Sequence, residues 1–424
     1  MSSILIKNGT IVTMDNKILQ GDILIEGNTI QRVAKNIEAV ADKVIDATNK
    51  IVMPGFINCH THVGLSLLRG YSEDLDSIGW HKPEIKEIES KLTREDIALS
   101  AELAILEMIK SGTTTFNDLG YCEDEVAQVV EKTGIRGNIA KMISGSKEKA
   151  ESELKEAEEL YNNWNKKAEG RITVSIGLDT AYNCPPETIR KAVELAKKVD
   201  TSIHMHYLET KYEISQVKEN YNQSVTDYLK SNNLFDVKTI LAHGVWADEA
   251  DLMELQFHNT SIINNPISNC KLGSGIGDMK FLVEGGINIG LGTDSLSASD
   301  TLDMFEEIKN SAYSQKVLYK SPNATNSRRT LEFATIKGAK ALGMQKEIGI
   351  IEEGRKADII IVDINKPHLL PVHNVYSTLA YSANGADVET TIVDGKILME
   401  NRILQTIDEE RVLNQVKEVA MRLF

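Results

Sequence analysis

The sequence predicts an α/β fold, a parallel (β/α)8 TIM barrel carrying a small β-sandwich domain built from both termini. Two patterns lead there. The middle of the chain alternates eight short apolar runs with helical stretches, as expected of strand–helix units feeding a parallel sheet. Both ends instead read as β-branched strands broken by Asn-Gly or Gly-Asn turns. At 424 residues and 42% hydrophobic content, the chain has room for a barrel of ~250 residues and an appended unit. A doubly wound open sheet is the alternative, and it demands no particular strand count.

Taken in order, residues 1–53 contain the strand-like segments Ile4–Lys7, Thr10–Met14, Gly21–Glu26 and Thr29–Val33. The catalytic barrel is expected over 54–354. Its apolar runs are Phe56–Cys59, Thr113–Asn117, Gly137–Ile143, Ile172–Leu178, Ser202–His206, Thr239–His243, Thr260–Asn264 and Ile287–Gly292. Helical patterns separate them, among them Arg94–Ser111, Lys147–Ala168, Pro186–Val199 and Ala298–Lys316. Residues 355–424 return to strands at Asp358–Asp363 and Val388–Val393, turn at Asp394-Gly395, and close with an amphipathic helix over Asp408–Leu423. The two ends are expected to form one small β domain.

A net charge of −15 argues against nucleic acid or an anionic membrane as partner, because both attract basic surfaces. Cys59, Cys122, Cys184 and Cys270 are scattered, with no Cys-x-x-Cys pair, which fits reduced thiols better than a disulfide framework. The N-terminus lacks a charged segment followed by a long apolar run, and no apolar stretch approaches the ~18 residues of a membrane helix. A soluble, cytoplasmic protein is expected.

Barrel enzymes carry their chemistry at the C-terminal ends of the strands. The first run ends in His60 and His62. Residues i and i+2 of a strand project to one face, so both imidazoles can converge on a point and form half of a divalent-metal site; the plainer reading is a polar strand end with solvated histidines. The fifth run ends in His206 with Glu209 just beyond, the sixth ends in His243, and the eighth leads to Asp294. His204 is expected to face away from the mouth in a packing or polar structural role, and His81, His258, His368 and His373 to be solvated. Cys59 and Cys184 have no evident activating partner and read as inert buried thiols. Gly273–Gly277 follows a polar loop rather than a strand and reads as a barrel loop, not a dinucleotide fingerprint.

Pro54–His62, His206–Thr210, Ala242-His243 and Gly292–Asp294 together resemble the amidohydrolase superfamily, over nearly the whole chain. Leu67–Tyr71, Asn265–Ile276 and Leu302–Glu307 resemble its methylthioadenosine/S-adenosylhomocysteine deaminase branch. The resemblance implies one divalent ion, zinc with iron(II) or manganese(II) as alternatives, held by His60, His62, His206 and Asp294. It implies that Asp294 also takes the proton of a metal-bound water, that Glu209 protonates a ring nitrogen, and that His243 orients the attacking hydroxide. Trp80 and Glu89 match positions that contact the nucleoside, Trp80 by packing and Glu89 on the ribose hydroxyls. Lys141 stands where the branch has an arginine for a homocysteine carboxylate. Asp179 and Asn264 stand where it has histidines. An ionised carboxylate only accepts hydrogen bonds, whereas a neutral imidazole also donates, so Asp179 changes the face presented to a heterocycle.

The expected function is metal-dependent hydrolytic deamination of an amino-substituted heterocycle, foremost a 5′-modified adenosine, with release of ammonia. Alternatives are deamination of another purine, pterin or related base, triazine-type chlorohydrolysis, and lastly a non-catalytic metal-binding scaffold. The expected partner is a small-molecule substrate, and a homo-oligomer is compatible with the chain.

Overall fold

A computed structural model describes residues 2–71, 83–145 and 147–424. Eight parallel strands form one sheet: Phe56–Thr61, Thr113–Gly120, Arg136–Ile143, Ile172–Leu178, Ile203–Tyr207, Thr239–His243, Thr260–Asn264 and Asn288–Leu291. Each pairs in parallel with the next. The ring closes just past the last strand, where Thr61 bridges Asp294 and Asp294 N donates to His60 O at 2.9 Å. That bridge makes the sheet a barrel and excludes the open doubly wound alternative.

Both chain ends join in a second, nine-stranded sheet. Its seam is Lys50–Pro54, which runs parallel to Ser3–Val12 and antiparallel to Ile359–Asp363. Neither terminus completes this sheet alone. Isoleucines dominate its core, including Ile6, Ile11, Ile23, Ile25, Ile359 and Ile361, as suits side chains that are stiff at χ1 and pack well on a pleated surface. Gly55 turns the chain from this sheet into the first barrel strand; a Cβ there would lie 2.1 Å from Thr114, closer than any side chain tolerates.

Helix Arg94–Ser111 starts at a Thr93/Asp96 capping box and ends at Gly112, whose φ of 92° is left-handed. The closing helix Glu409–Leu423, capped by Asp408, lies along it through Lys110–Glu409, Arg411–Glu102 and Arg422–Asp96 ion pairs. Two helices are shorter than expected. The stretch from Lys147 stops at Trp164, because Asn165 turns its side chain to Val174 N and Lys166 takes a left-handed φ. The expected Ala298–Lys316 helix is two, Leu296–Ser299 and Met304–Leu318. Asp300 breaks it in the left-handed region, and Asp303 caps the second helix by accepting from Phe305 N. Among the described residues no helix is long and apolar enough to cross a membrane.

At the end of the barrel away from the mouth, Arg136 is buried between two carboxylates of the terminal sheet. It donates to Asp358 at 2.8 and 3.0 Å and to Asp394 at 3.3 Å. Removing one member of a buried charged set strands the others, at about 3–5 kcal/mol. Arg136→Met is therefore expected to lower the unfolding free energy by about that amount, measured by urea denaturation; a loss below about 1 kcal/mol would show that the clamp does not hold sheet to barrel.

Candidate metal and active site

The strand ends bring four predicted residues together. His62 and His206 face each other with Nε2 atoms 3.3 Å apart, and Asp294 Oδ1 lies 3.6 Å from His60 Nε2 and 3.4 Å from His62 Nε2. Ligand atoms of His60, His62 and His206, and separately of His60, His243 and Asp294, fall within 4.8 Å of one another.

The tautomers follow from the far side of each ring. His62 Nδ1 donates to Leu119 O at 2.5 Å and His206 Nδ1 to Asp179 O at 2.9 Å, so both Nε2 atoms turn bare lone pairs inward. His60 Nδ1 lies 2.9 Å from His204 Nε2, and the Asp118 backbone hydrogen-bonds His204 in turn. His204 thus gives its own proton to the backbone and receives that of His60. His60 Nε2 is left buried with no hydrogen-bond partner. Three inward lone pairs and a carboxylate, with one buried acceptor orphaned, fit a divalent cation at their centre.

Burial holds His60 and His204 well below the ordinary imidazole range, and so keeps both neutral. Burial acts the same way on His206, but the hydrogen bond and charge of Asp179, aided by Asp294 and Glu209, outweigh it and raise that ring's affinity for positive charge, which a cation at Nε2 would satisfy in place of a proton. For Asp294 burial works upward, yet the adjoining His60 and His62 rings keep the carboxyl well below the usual range. Ser268 Oγ and Ser295 N donate to its two oxygens at 2.6 and 2.7 Å.

Glu209 sits between the fifth strand and the helix Lys211–Tyr221. Its Oε1 accepts from Ser274 Oγ at 3.2 Å, and its Oε2 lies 4.0 Å from His243 Nε2. His243 Nδ1 donates to Asn269 Oδ1 at 2.9 Å, leaving Nε2 facing Glu209 and, at 3.9 Å, Asp294 Oδ2. These groups line a cleft of about 190 Å³ together with Glu89, Tyr121, Met142, Asp179, Tyr182, Tyr212 and Glu213.

The remaining expectations divide. Glu89 and Asp179 line the cleft, and Asp179 also turns an oxygen to 3.6 Å from His206 Nδ1 and accepts from Asn183 at 2.8 Å. Lys141 does not reach the cleft: on strand Arg136–Ile143 it alternates with the inward Met142, and its Nζ binds Tyr121 O at 2.8 Å and Glu156 at 2.9 Å. Asn264 bonds Ser311 instead of lining the cleft. Trp80 and His81 lie outside the described residues. His204 does not face away as expected; two residues before His206, it shares that residue's face and sits one layer deeper. The period-two rule applied to His60 and His62 would have found it. Glu213 was also missed, although it follows Glu209 by one helical turn. Its Oε2 accepts from Glu209 N at 3.2 Å, and burial, with the charge of Glu209, pushes its carboxyl up to about 8. Burial likewise pushes the Cys59 thiol up to about 12, in keeping with an inert role.

The amidohydrolase family model matches residues 51–398. The chain belongs to the amidohydrolase family. Among its relatives, the 5-methylthioadenosine/S-adenosylhomocysteine deaminase of Desulforamulus reducens is 41% identical, covering 100% of this chain and 99% of that protein. The 5′-deoxyadenosine deaminase of Methanococcoides burtonii is also 41% identical, over 100% and 98%. A solved adenosine deaminase from Xanthomonas campestris with bound zinc superposes with a TM-score of 0.95 at 26% identity, covering 100% of this chain and 98% of that one. This amidohydrolase therefore shares its whole length, barrel and terminal sheet alike, with those proteins.

Groups that orient a metal-binding histidine from behind typically contribute 10- to 100-fold to metal affinity. His204→Phe, which cannot accept the His60 proton, is expected to weaken zinc binding by about that factor in chelator competition, with His204→Gln recovering part of it. Equal affinity in all three proteins would refute the tautomer chain.

Proposed function

We propose that this amidohydrolase is a hydrolytic deaminase of a 5′-modified adenosine. The observation that carries the reading is the convergence of Asp294, Glu209 and His243 beside the three-histidine donor set, with the Glu209 carboxylate outside that set. The names of the full-length relatives support the substrate class. His60, His62, His206 and Asp294 would hold one divalent ion, zinc by the nature of the donors and the zinc-bound neighbour. When bound, that ion lowers the pKa of a water towards ~7.

The chain's own groups then divide the work. Asp294, kept ionised and aimed by Ser268 and Ser295, accepts a proton from the attacking water. Glu209, held by Ser274, delivers a proton to the ring nitrogen beside the amine-bearing carbon. His243, fixed by Asn269, turns Nε2 between the two carboxylates and orients the water. Water adds across the ring carbon–nitrogen bond; Asp294 passes the proton it took to the amine, which leaves as ammonia, and Glu209 recovers a proton from the remaining hydroxyl as that oxygen becomes a ring carbonyl. Glu89 and Asp179 contact the nucleoside away from the reacting carbon.

Ammonia release by zinc-loaded protein from 5′-deoxyadenosine, methylthioadenosine and adenosine tests the reading; no release from any purine nucleoside would overturn it. Glu209→Gln keeps the size of the side chain but cannot shuttle a proton, so kcat is expected to fall by ~10²–10⁴-fold with zinc content unchanged. Loss of zinc, or near-normal turnover, would refute this role for Glu209.

A further inference from the structure

Glu209 stands on the short connection between strand Ile203–Tyr207 and helix Lys211–Tyr221, and as a group outside the donor set it gains no hold from a metal. Its aim is set by protein contacts alone. Leu208, just before it, has a φ of 46°, a left-handed conformation that leucine rarely adopts, so the bend needs contacts that keep it. Trp246 N donates to Leu208 O at 3.0 Å, and Glu209 N donates to Glu213 Oε2 at 3.2 Å.

The second contact departs from the pattern its sequence favours. Thr210-Lys211-Tyr212-Glu213 has the spacing of a capping box, in which the acid reaches back to the N–H of the threonine itself. The threonine does its part: Thr210 Oγ1 accepts from Glu213 N at 3.3 Å. The acid instead takes the N–H one residue earlier, that of Glu209. Glu213 is 2% exposed, and the backbone of Ala181 also approaches its carboxyl. Nearby, Tyr182 and Tyr212 meet edge to face at 5.4 Å, so the loop after strand Ile172–Leu178 and the Glu209 connection are joined there.

From this, and resting on the deaminase reading above, we infer that Glu213 is a positioning residue that acts through Glu209, gripping its backbone so that its carboxyl meets the ring nitrogen at a productive distance. Ser274 Oγ fixes the other end of the same side chain, and the acid is held at both ends. Misplacement by about 1 Å can slow a reaction on the order of 100-fold. Burial and the charge of Glu209 push the Glu213 carboxyl up to about 8, so near neutral pH it is mostly uncharged. Glutamine is uncharged too and offers a carbonyl acceptor at the same reach.

The test is a double-mutant cycle on the zinc-loaded full-length protein. Ammonia release is followed from whichever of 5′-deoxyadenosine, methylthioadenosine and adenosine is turned over fastest, and kcat, KM and zinc content are read for each variant. Glu213→Leu deletes the acceptor and is expected to lower kcat by about 10- to 100-fold with KM and zinc content unchanged. Glu213→Gln should recover most of that loss. In a Glu209→Gln background the same Glu213→Leu change should lower kcat by less than about twofold, because the proton it helps to aim is already gone. A purely structural role would lower kcat by the same factor in both backgrounds, and that result overturns the inference. So does a rise in KM with kcat held, since Glu213 would then bind substrate directly. Where Glu213→Leu does not fold, Glu213→Asp replaces it, keeping the acid but drawing the acceptor back by one methylene. If the unaltered protein deaminates no purine nucleoside, the deaminase reading fails and this inference falls with it. If it does and Glu213→Leu turns over normally, this inference alone is overturned.

Discussion

The hydrogen bond from Asp294 N to His60 O joins the last barrel strand to the first, and the candidate site depends on it. His60 and Asp294 are remote in sequence, and only closure of the ring sets their side chains side by side. The same bridge fixes the register of Thr61 against Asp294, so a one-residue slip would turn Asp294 out of the mouth. Barrel closure and ligand assembly are a single event.

Closure alone would not aim the side chains. His243 and Asp294 have φ values of 78° and 67°, a left-handed conformation that histidine and aspartate visit more readily than most residues but still at a cost of roughly 1–2 kcal/mol. The chain turns sharply where each strand stops, and each side chain swings over the barrel axis. Below them a buried polar layer keeps the imidazoles in place. Asn117 Nδ2 contacts His204 at 3.1 Å and donates to Cys59 O at 2.7 Å, and Asn138 donates to Asn117 Oδ1 at 2.5 Å. Such a network in low dielectric holds its members to one arrangement. A cation among the bare Nε2 atoms would relieve the repulsion that otherwise faces His62 against His206.

The barrel was legible because each strand announces itself as a short apolar run, and because period two places His60 and His62 on one side. The union of the termini was legible because both ends carry the same β-branched composition. Helix breaks were less so: Asp300 and Asp303 are compatible with either a helical surface or a cap, and only packing decides. Lys141 shows the limit of carrying a role over by position. Its place in the sequence matches a substrate contact, but strand alternation points Met142 into the cleft and Lys141 out of it. His204 was misread by an error in that same alternation. Glu89 comes from helix Pro83–Lys91 and Asp179 from the loop after the fourth barrel strand, so no local pattern reveals that both line the cleft.

The third barrel strand carries Arg136 at one end and Met142 at the other. The first is locked between Asp358 and Asp394; the second lines the cleft. Anchoring and recognition are thus a strand's length apart, with Asn138 and its polar partners between them. Exchange of Met142, Asp179 or Tyr182 leaves the anchored end untouched, and exchange of terminal-sheet surface residues leaves the mouth untouched. A scaffold divided in this way lets a lineage try new ligands without renegotiating its foundations. It accounts for a shared backbone at a TM-score of 0.95 beside a sequence that agrees at 26% of positions.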